Sequence, residues 1–306
     1  GTAVFNTPGV NANAVKELII QNLFRCLRPL NGAVEMMKQL RVGPDEDLQE
    51  AAEAKRVDFI GEELYGRTLG ILGLGTIGQR LADACYHMGM QVIGYNRSFK
   101  NLRHVQQLDT IDEVLEQADF VVVLLPLTDD TRGLLSTKQF ETMKDTAYLL
   151  NFGRGDIVDN QAVVSALNHN EFAGYVSDFP KTILQDHPKI TLLPHLGGNT
   201  IEALTHSANL ILQNLLDFLE YGTVRNSINF PRVDLPFMSN QRLTFFFHAR
   251  DNMWVDVANI LNSYDLPVQE MMGNTQDGYG YTIVNTDLST VSKERKQKLL
   301  SELDQI

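Results

Sequence analysis

Two side chains are placed to do chemistry. Arg154 sits in LLNFGRGDIVD and His195 in LLPHLGGN, each just past an apolar run of strand length. Between Gly153 and Gly155, the Arg154 guanidinium offers a planar fork that suits a carboxylate. An imidazole gives or takes a hydroxyl proton near neutral pH. With a hydride carrier added, such a pair would oxidise a 2-hydroxy acid or reduce a 2-oxo acid. Singly, each has a plainer reading, as a surface charge and as a satisfied loop histidine. Both following strand ends of one sheet favours the chemical reading, because open α/β sheets bind ligands at that end.

The hydride carrier has a candidate seat in ILGLGTIGQRLADACYHMGMQVIGYNRS, residues 71–98. Gly73, Gly75 and Gly78 form GxGxxG between a strand and a helix, the context this motif needs to mean a dinucleotide. Gly73 permits the tight turn, Gly75 lets a pyrophosphate approach the backbone, and Gly78 lets the helix pack closely. The amides of Thr76 and Ile77, at the positive end of the helix, face the phosphates. A purely structural turn is the alternative. An acidic residue usually meets the ribose 2′-hydroxyl at the end of the second strand, but Asn96 stands there, followed by Arg97 and Ser98. Asn96 keeps a hydrogen bond without the charge that repels a 2′-phosphate, and Arg97 can neutralise one. NAD and NADP are therefore both candidate cofactors.

The elements that must position these residues are legible. Apolar runs predict strands at Thr68–Leu72, Gln91–Tyr95, Phe120–Leu125, Ala147–Asn151, Ala173–Ser177 and Ile190–Leu193. FVVVLL lacks polar alternation, as a strand covered on both faces should. Helical spacing marks Ile77–Met88, Thr110–Gln117 and Asn160–His169 between them, Asn13–Arg28 before them and Ile201–Tyr221 after them. The alternation defines an α/β fold, a doubly wound parallel Rossmann sheet. The stretch FPRVDLPFMSN, following Gly222, reads as a linker over 231–240. From Gln241 the order changes to strand, helix, hairpin, helix: a small α+β (βαββα) unit over 241–306.

Composition bounds the rest. A chain of 306 residues suggests more than one domain. With 38 acidic against 26 basic residues the net charge is −12, which argues against nucleic acid and anionic membranes as partners. No apolar run reaches the ~20 residues of a membrane span. Cys26 and Cys85 lie in apolar helical patterns, so buried thiols and a reduced, cytoplasmic setting are expected. No Cys/His cluster has metal-ligand spacing; His87, His104, His169 and His206 read as helix-surface or loop residues. The opening GTAVF has no Met and no signal-peptide pattern, and a natural chain longer at both ends is expected.

TPGVNANAVKELI, GLGTIG, LLPLTDDTRGLL, NFGRGDIVD, YVSDFP, PHLGG and NSINFP together resemble the D-isomer-specific 2-hydroxyacid dehydrogenases over nearly the whole chain. The resemblance implies NAD as cofactor, Arg154 as the carboxylate clamp and His195 as acid/base. It places Asp178 at the nicotinamide carboxamide, lines the cofactor cleft with Pro126, and puts Gly153 and Gly198 beside it. Within the family the likeness is strongest to members that oxidise 3-phosphoglycerate to 3-phosphohydroxypyruvate at the start of serine biosynthesis. The expected substrate is thus a small, phosphorylated 2-hydroxy acid, and a homo-oligomer is implied through Asn13–Arg28 and the tail.

Three departures from the family pattern stand out. Its histidine pairs with a glutamate five residues after the aspartate, where this chain has Ile183, with Lys181 and Thr182 before it. Without an anionic partner His195 is a weaker base, and Asp186 is the substitute offered by the same loop. Residues 1–12 read as a remnant of the substrate domain, with Ala3–Asn6 as its last strand, followed by a dinucleotide-binding domain over 13–198 and a returning helix over 199–230. Finally, the tail resembles an ACT domain short of its closing strand, which leaves an unpaired sheet edge. There, His248, Arg250 and Asn252 form a candidate loop for an amino-acid effector, with a ligand-free polar loop as the alternative. Trp254 and the phenylalanines of FFFH read as packing. Another reductase of the family, acting on hydroxypyruvate or glyoxylate, and a non-catalytic dinucleotide sensor like the C-terminal binding protein corepressors are the other readings.

Overall fold

The structure is a computed structural model that describes residues 2–237, 242–289 and 291–304. It divides into two compact units, 11–203 and 1–10 with 204–306.

In the first unit, helices α1 (Ala12–Leu27), α2 (Leu30–Gln39) and α3 (Leu48–Lys55) precede an alternating series. The series runs β1 (Thr68–Leu72), α4 (Thr76–His87), β2 (Gln91–Tyr95), β3 (Gln106–Gln107), α5 (Ile111–Gln117), β4 (Phe120–Val123) and α6 (Thr137–Phe140). It continues through β5 (Tyr148–Asn151), α7 (Asn160–Asn168), β6 (Gly174–Ser177) and β7 (Ile190–Leu192). All seven strands pair in parallel in the order β3-β2-β1-β4-β5-β6-β7. The order reverses between β1 and β4, the point where such sheets open a ligand crevice.

The alternation along β4 explains its unbroken apolar run. Val121 and Val123 enter one core cluster with Val114, Leu115, Phe140, Val163 and Leu167 of α5, α6 and α7. Phe120 and Val122 enter the other, with Val15, Ile19 and Leu23 of α1 and Leu81 and Cys85 of α4. Each such side chain contributes about 1.5–3 kcal/mol by leaving water. Caps fix two helix starts. Thr110 and Glu113 form a reciprocal capping box on α5, and the Asp159 carboxylate accepts from Gln161 and Ala162 on α7.

The expected strands appear, trimmed by one or two residues at some ends. Two features were not expected. Strand β3 holds only two residues, too few to show a period. Helix α2 carries apolar residues at helical spacing, Leu30, Val34 and Met37, yet buries none of them, and the eight-residue α3 buries none either.

The chain passes into the second unit within α8 (Ile201–Tyr221). There β8 (Arg242–His248), α9 (Met253–Ser263), β9 (Glu270–Gln276), β10 (Tyr279–Asn285) and α10 (Lys293–Leu303) follow in the expected order. The strands form an antiparallel sheet ordered β8-β10-β9. Ala3–Asn6, expected as a strand, makes a single antiparallel bridge, Phe5 to Ser227. Val233 and Leu235, from the stretch read as a linker, are buried with Tyr281 and Ile283. Residues 238–241 of that stretch lie outside the described residues. Trp254 donates to Thr282 Oγ1 at 2.7 Å, as a packed tryptophan should. Among the described residues no helix is long and apolar enough to cross a membrane.

Candidate functional site

The site begins at the glycine turn between β1 and α4. Gly73 has φ +108°, a conformation that disfavours a side chain, and a Cβ there would lie 2.9 Å from the Leu124 carbonyl. At Gly78 a Cβ would collide with the Gly73 carbonyl oxygen. At Gly75 it would meet nothing within 4 Å, so that face of the turn is open. Gly75 is also the N-cap of α4, with no side-chain cap and no acidic residue in the first turn. Thr76 is exposed and Ile77 half-buried. A positive helix end, uncapped and bordered by open space, is what a pyrophosphate requires. The residues present therefore fit a dinucleotide.

Asn96, expected at the ribose, does structural work as well. Its Oδ1 accepts from the Leu74 amide at 3.2 Å, and its Nδ2 donates to the Ser98 carbonyl at 2.9 Å. It thereby ties the end of β2 to the glycine turn. The Arg97 side chain is 81% exposed, and its guanidinium lies 3.8 Å from Asp130, an exposed pair that holds the arginine only loosely. Pro126, past the end of β4, is exposed, and its carbonyl accepts from Thr131 Oγ1 at 2.7 Å.

Arg154, Asp178 and His195 follow the carboxyl ends of β5, β6 and β7, three adjacent strands of the sheet. Asn151, fully buried at the end of β5, shapes the first loop: its Oδ1 accepts from Gly153 and its Nδ2 donates to the Arg154 carbonyl at 3.0 Å. A Cβ on Gly153 would lie 2.8 Å from the Leu125 carbonyl oxygen, so only glycine lets this loop close on the β4 loop. Arg154 is exposed, with Nη1 donating to Gly153 O at 2.8 Å. Its charge thus stays accessible to an anion.

Asp178 is 2% exposed, and both carboxylate oxygens accept backbone amides, Oδ1 from Leu196 and Oδ2 from Gly197, each at 2.7 Å. These are the two residues after His195, whose own φ is +58°. The aspartate therefore holds the histidine's loop in a left-handed turn. Gly198 packs on Asn11: a Cβ there would lie 2.9 Å from Asn11 Nδ2. The exposed His195 ring rests against Phe179, centroids 5.1 Å apart, and Phe179 also borders Gly155 beside Arg154. One aromatic side chain thus adjoins both the arginine loop and the histidine.

No carboxylate among the described residues hydrogen-bonds the His195 ring. Ile183 stands 47% exposed where the family glutamate was expected. Asp186, exposed beyond the short helix Thr182–Leu184, makes no hydrogen bond or ion pair to His195 and so does not substitute. Reading the sequence missed Asn151, Phe179 and the second task of Asn96. Only Asn151 left a trace, as the polar residue closing an apolar strand.

Of the tail candidates, His248 is the last residue of β8 rather than part of the loop, and its ring lies 4.9 Å from Tyr279. Arg250 pairs with Asp256 at 2.8 Å, and Asn252 stands at the N-cap position of α9, φ +62°, with no side-chain capping bond.

These features define a dinucleotide-dependent oxidoreductase, and comparison with known proteins gives the class. The family model of the D-isomer specific 2-hydroxyacid dehydrogenase NAD binding domain matches residues 24–197. The chain belongs to that family of NAD-dependent oxidoreductases. It is 31% identical over 315 residues to D-3-phosphoglycerate dehydrogenase of Dictyostelium discoideum, covering 98% of this chain and 74% of that protein. It is 32% identical over 231 residues to glyoxylate reductase of Pyrococcus furiosus, covering 71% of this chain and 66% of the other. Among solved structures, an acyclic imino acid reductase in complex with NADPH and D-Arg aligns at a TM-score of 0.63 and 29% identity, covering 74% and 71% of the two chains. The cofactor class is accordingly NAD or NADP.

Proposed function

We propose that the chain oxidises 3-phosphoglycerate to 3-phosphohydroxypyruvate, the entry to serine biosynthesis. The observation that supports this substrate is the reach of the similarity. The alignment with the phosphoglycerate dehydrogenase spans 98% of the chain, tail included, whereas that with the glyoxylate reductase spans 71%. Gly73, Gly75, Thr76, Ile77 and Gly78 hold the dinucleotide phosphates, Asn96 and Arg97 meet the adenosine ribose, and Pro126, Gly153, Asp178 and Gly198 surround the nicotinamide end. The bound dinucleotide supplies the hydride acceptor.

Arg154 binds the substrate carboxylate and so fixes which face of the carbinol carbon is presented. His195 takes the hydroxyl proton as the C–H bond breaks, and returns it in the reverse direction. Asp178 acts on this step through the backbone by holding the histidine loop. We read the βαββα unit as an ACT-like regulatory module, with His248, Arg250 and Asn252 toward a small amino-acid effector. The chain is expected to act as a homo-oligomer.

The deciding experiment follows absorbance at 340 nm with NADH or NADPH and, in turn, 3-phosphohydroxypyruvate, hydroxypyruvate and glyoxylate. The phosphorylated acid should give the highest kcat/KM. A preference for glyoxylate or hydroxypyruvate would replace the substrate and keep the chemistry. No turnover with any of them would leave a dinucleotide sensor.

A further inference from the structure

Helix α4 begins at the glycine turn and ends, about 16–18 Å away, in a second group of donors. Asp83 and His87 lie four residues apart, on one face of its last turn. His104 comes from the connection between β2 and β3. One donor atom from each of the three side chains lies within 4.8 Å of the other two.

The rings are held rather than loose. His104 stacks on Tyr86, centroids 4.0 Å apart and planes 17° from parallel, and His87 stands edge-on to His104 at 5.5 Å. His87 Nδ1 lies 2.8 Å from the Asp83 backbone carbonyl, which accepts its N–H. That bond leaves Nε2 with the free lone pair. A backbone carbonyl fixing one ring nitrogen while the other ligates is the usual support of a metal-binding histidine. The carbonyl end of a helix carries partial negative charge, which adds to the Asp83 carboxylate in favouring a cation.

We propose that Asp83, His87 and His104 form a binding site for a divalent transition metal ion of the zinc class, with water completing the shell. Two imidazoles and one carboxylate suit zinc, nickel or copper better than magnesium or calcium, which take oxygen ligands. Donors about 2.0–2.2 Å from a shared tetrahedral ion stand roughly 3.4 Å apart. The side chains therefore close by no more than about 1.4 Å on binding, a movement open to Asp83 and His87, both about two-thirds exposed. Without an ion, His87 Nδ1 and the Asp83 carboxylate stand 3.7 Å apart on the surface, a contact of little worth. With one, α4 is stapled to the connection that starts at Asn96 and Arg97. The site's role is structural, and it stands or falls independently of the dehydrogenase chemistry.

Isothermal titration of the intact chain with zinc chloride tests this, with His87→Ala and His104→Ala as comparisons. One ion per chain should bind to the wild type, at least about ten-fold more weakly to either variant. Zinc should raise the thermal midpoint of the wild type and leave both variants unmoved. Circular dichroism without metal checks that the variants are folded; should His104→Ala fail, Asp83→Asn and His87→Gln carry the same comparison. No saturable uptake at millimolar zinc overturns the proposal, and so does uptake that persists undiminished in the variants.

Discussion

The Asp178 carboxylate lies 2.7 Å from the Gly197 amide, one of two backbone bonds by which the end of β6 grips the segment after His195. The grip is close: a Cβ on Gly197 would lie 3.0 Å from Asp178 Oδ2. Asp178→Asn replaces an acceptor with a donor that faces an amide N–H. A buried bond to a charged group is worth about 1.5–3 kcal/mol, and thermal unfolding should register a loss of that order. In steady-state kinetics kcat should fall more than the KM for the oxo acid rises. Unchanged kcat would remove the aspartate from the positioning of the histidine.

The three glycines of the turn should separate stability from binding. Gly78→Ala forces a methyl into the Gly73 carbonyl and should cost about 1–3 kcal/mol in chemical denaturation. Gly75→Ala meets no protein atom and should unfold as the wild type does. Its effect should appear in fluorescence titration with NADH, as weaker binding.

Arg97 should set the nucleotide preference. Held only by a distant pair with Asp130, it is available to a 2′-phosphate. Arg97→Ala should lower kcat/KM for NADPH by about ten-fold, the loss of roughly 1.4 kcal/mol, and leave NADH little changed. Equal losses for both cofactors would place the arginine elsewhere than the ribose.

Asp119 should confer pH-dependent stability. Burial raises its pKa, but bonds from Lys144 and the Thr68 amide, each 2.8 Å, outweigh that and hold it below the usual carboxylate value. A depressed folded-state pKa stabilises above the unfolded value of about 3.9 and is lost as pH falls through the folded one. Asp119→Asn should therefore be less stable than wild type at neutral pH, with the gap closing in acid below about pH 4. Urea melts at several pH values measure the difference.

Both cysteines should be unreactive while the chain is folded. Burial pushes the Cys85 thiol up to about 12, and the Cys26 thiol to about 12 despite Arg25 nearby. At pH 8 only about one thiol in ten thousand would be ionised. Labelling with a chromogenic disulfide should be slow until denaturant is added, and then yield two thiols per chain.

The sequence made the sheet legible where packing is regular. Phe120, Val121, Val122 and Val123 alternate between two cores, so an unbroken apolar run was a sufficient signal. The glycine spacing was legible because each residue answers a separate steric demand. What escaped were bonds between side chains and distant backbone. Asn96 reaches Leu74 and Asp178 reaches Gly197, and neither partner can be read from local pattern. Asp186 makes no bond to His195, because proximity in sequence does not report where a loop side chain points. Helix α2 does carry an apolar stripe, Leu30, Val34 and Met37, but the fold leaves it exposed.

The outer glycines of the motif are each pinned by neighbouring main chain. A side chain at 78 would strike the Gly73 carbonyl and one at 73 the backbone of Leu124, so neither can be exchanged unless the backbone moves. Anyone retooling this scaffold for another nucleotide should leave that hinge alone. The freedom lies one residue past Asn96, at the exposed Arg97, whose side chain can be exchanged without touching the turn.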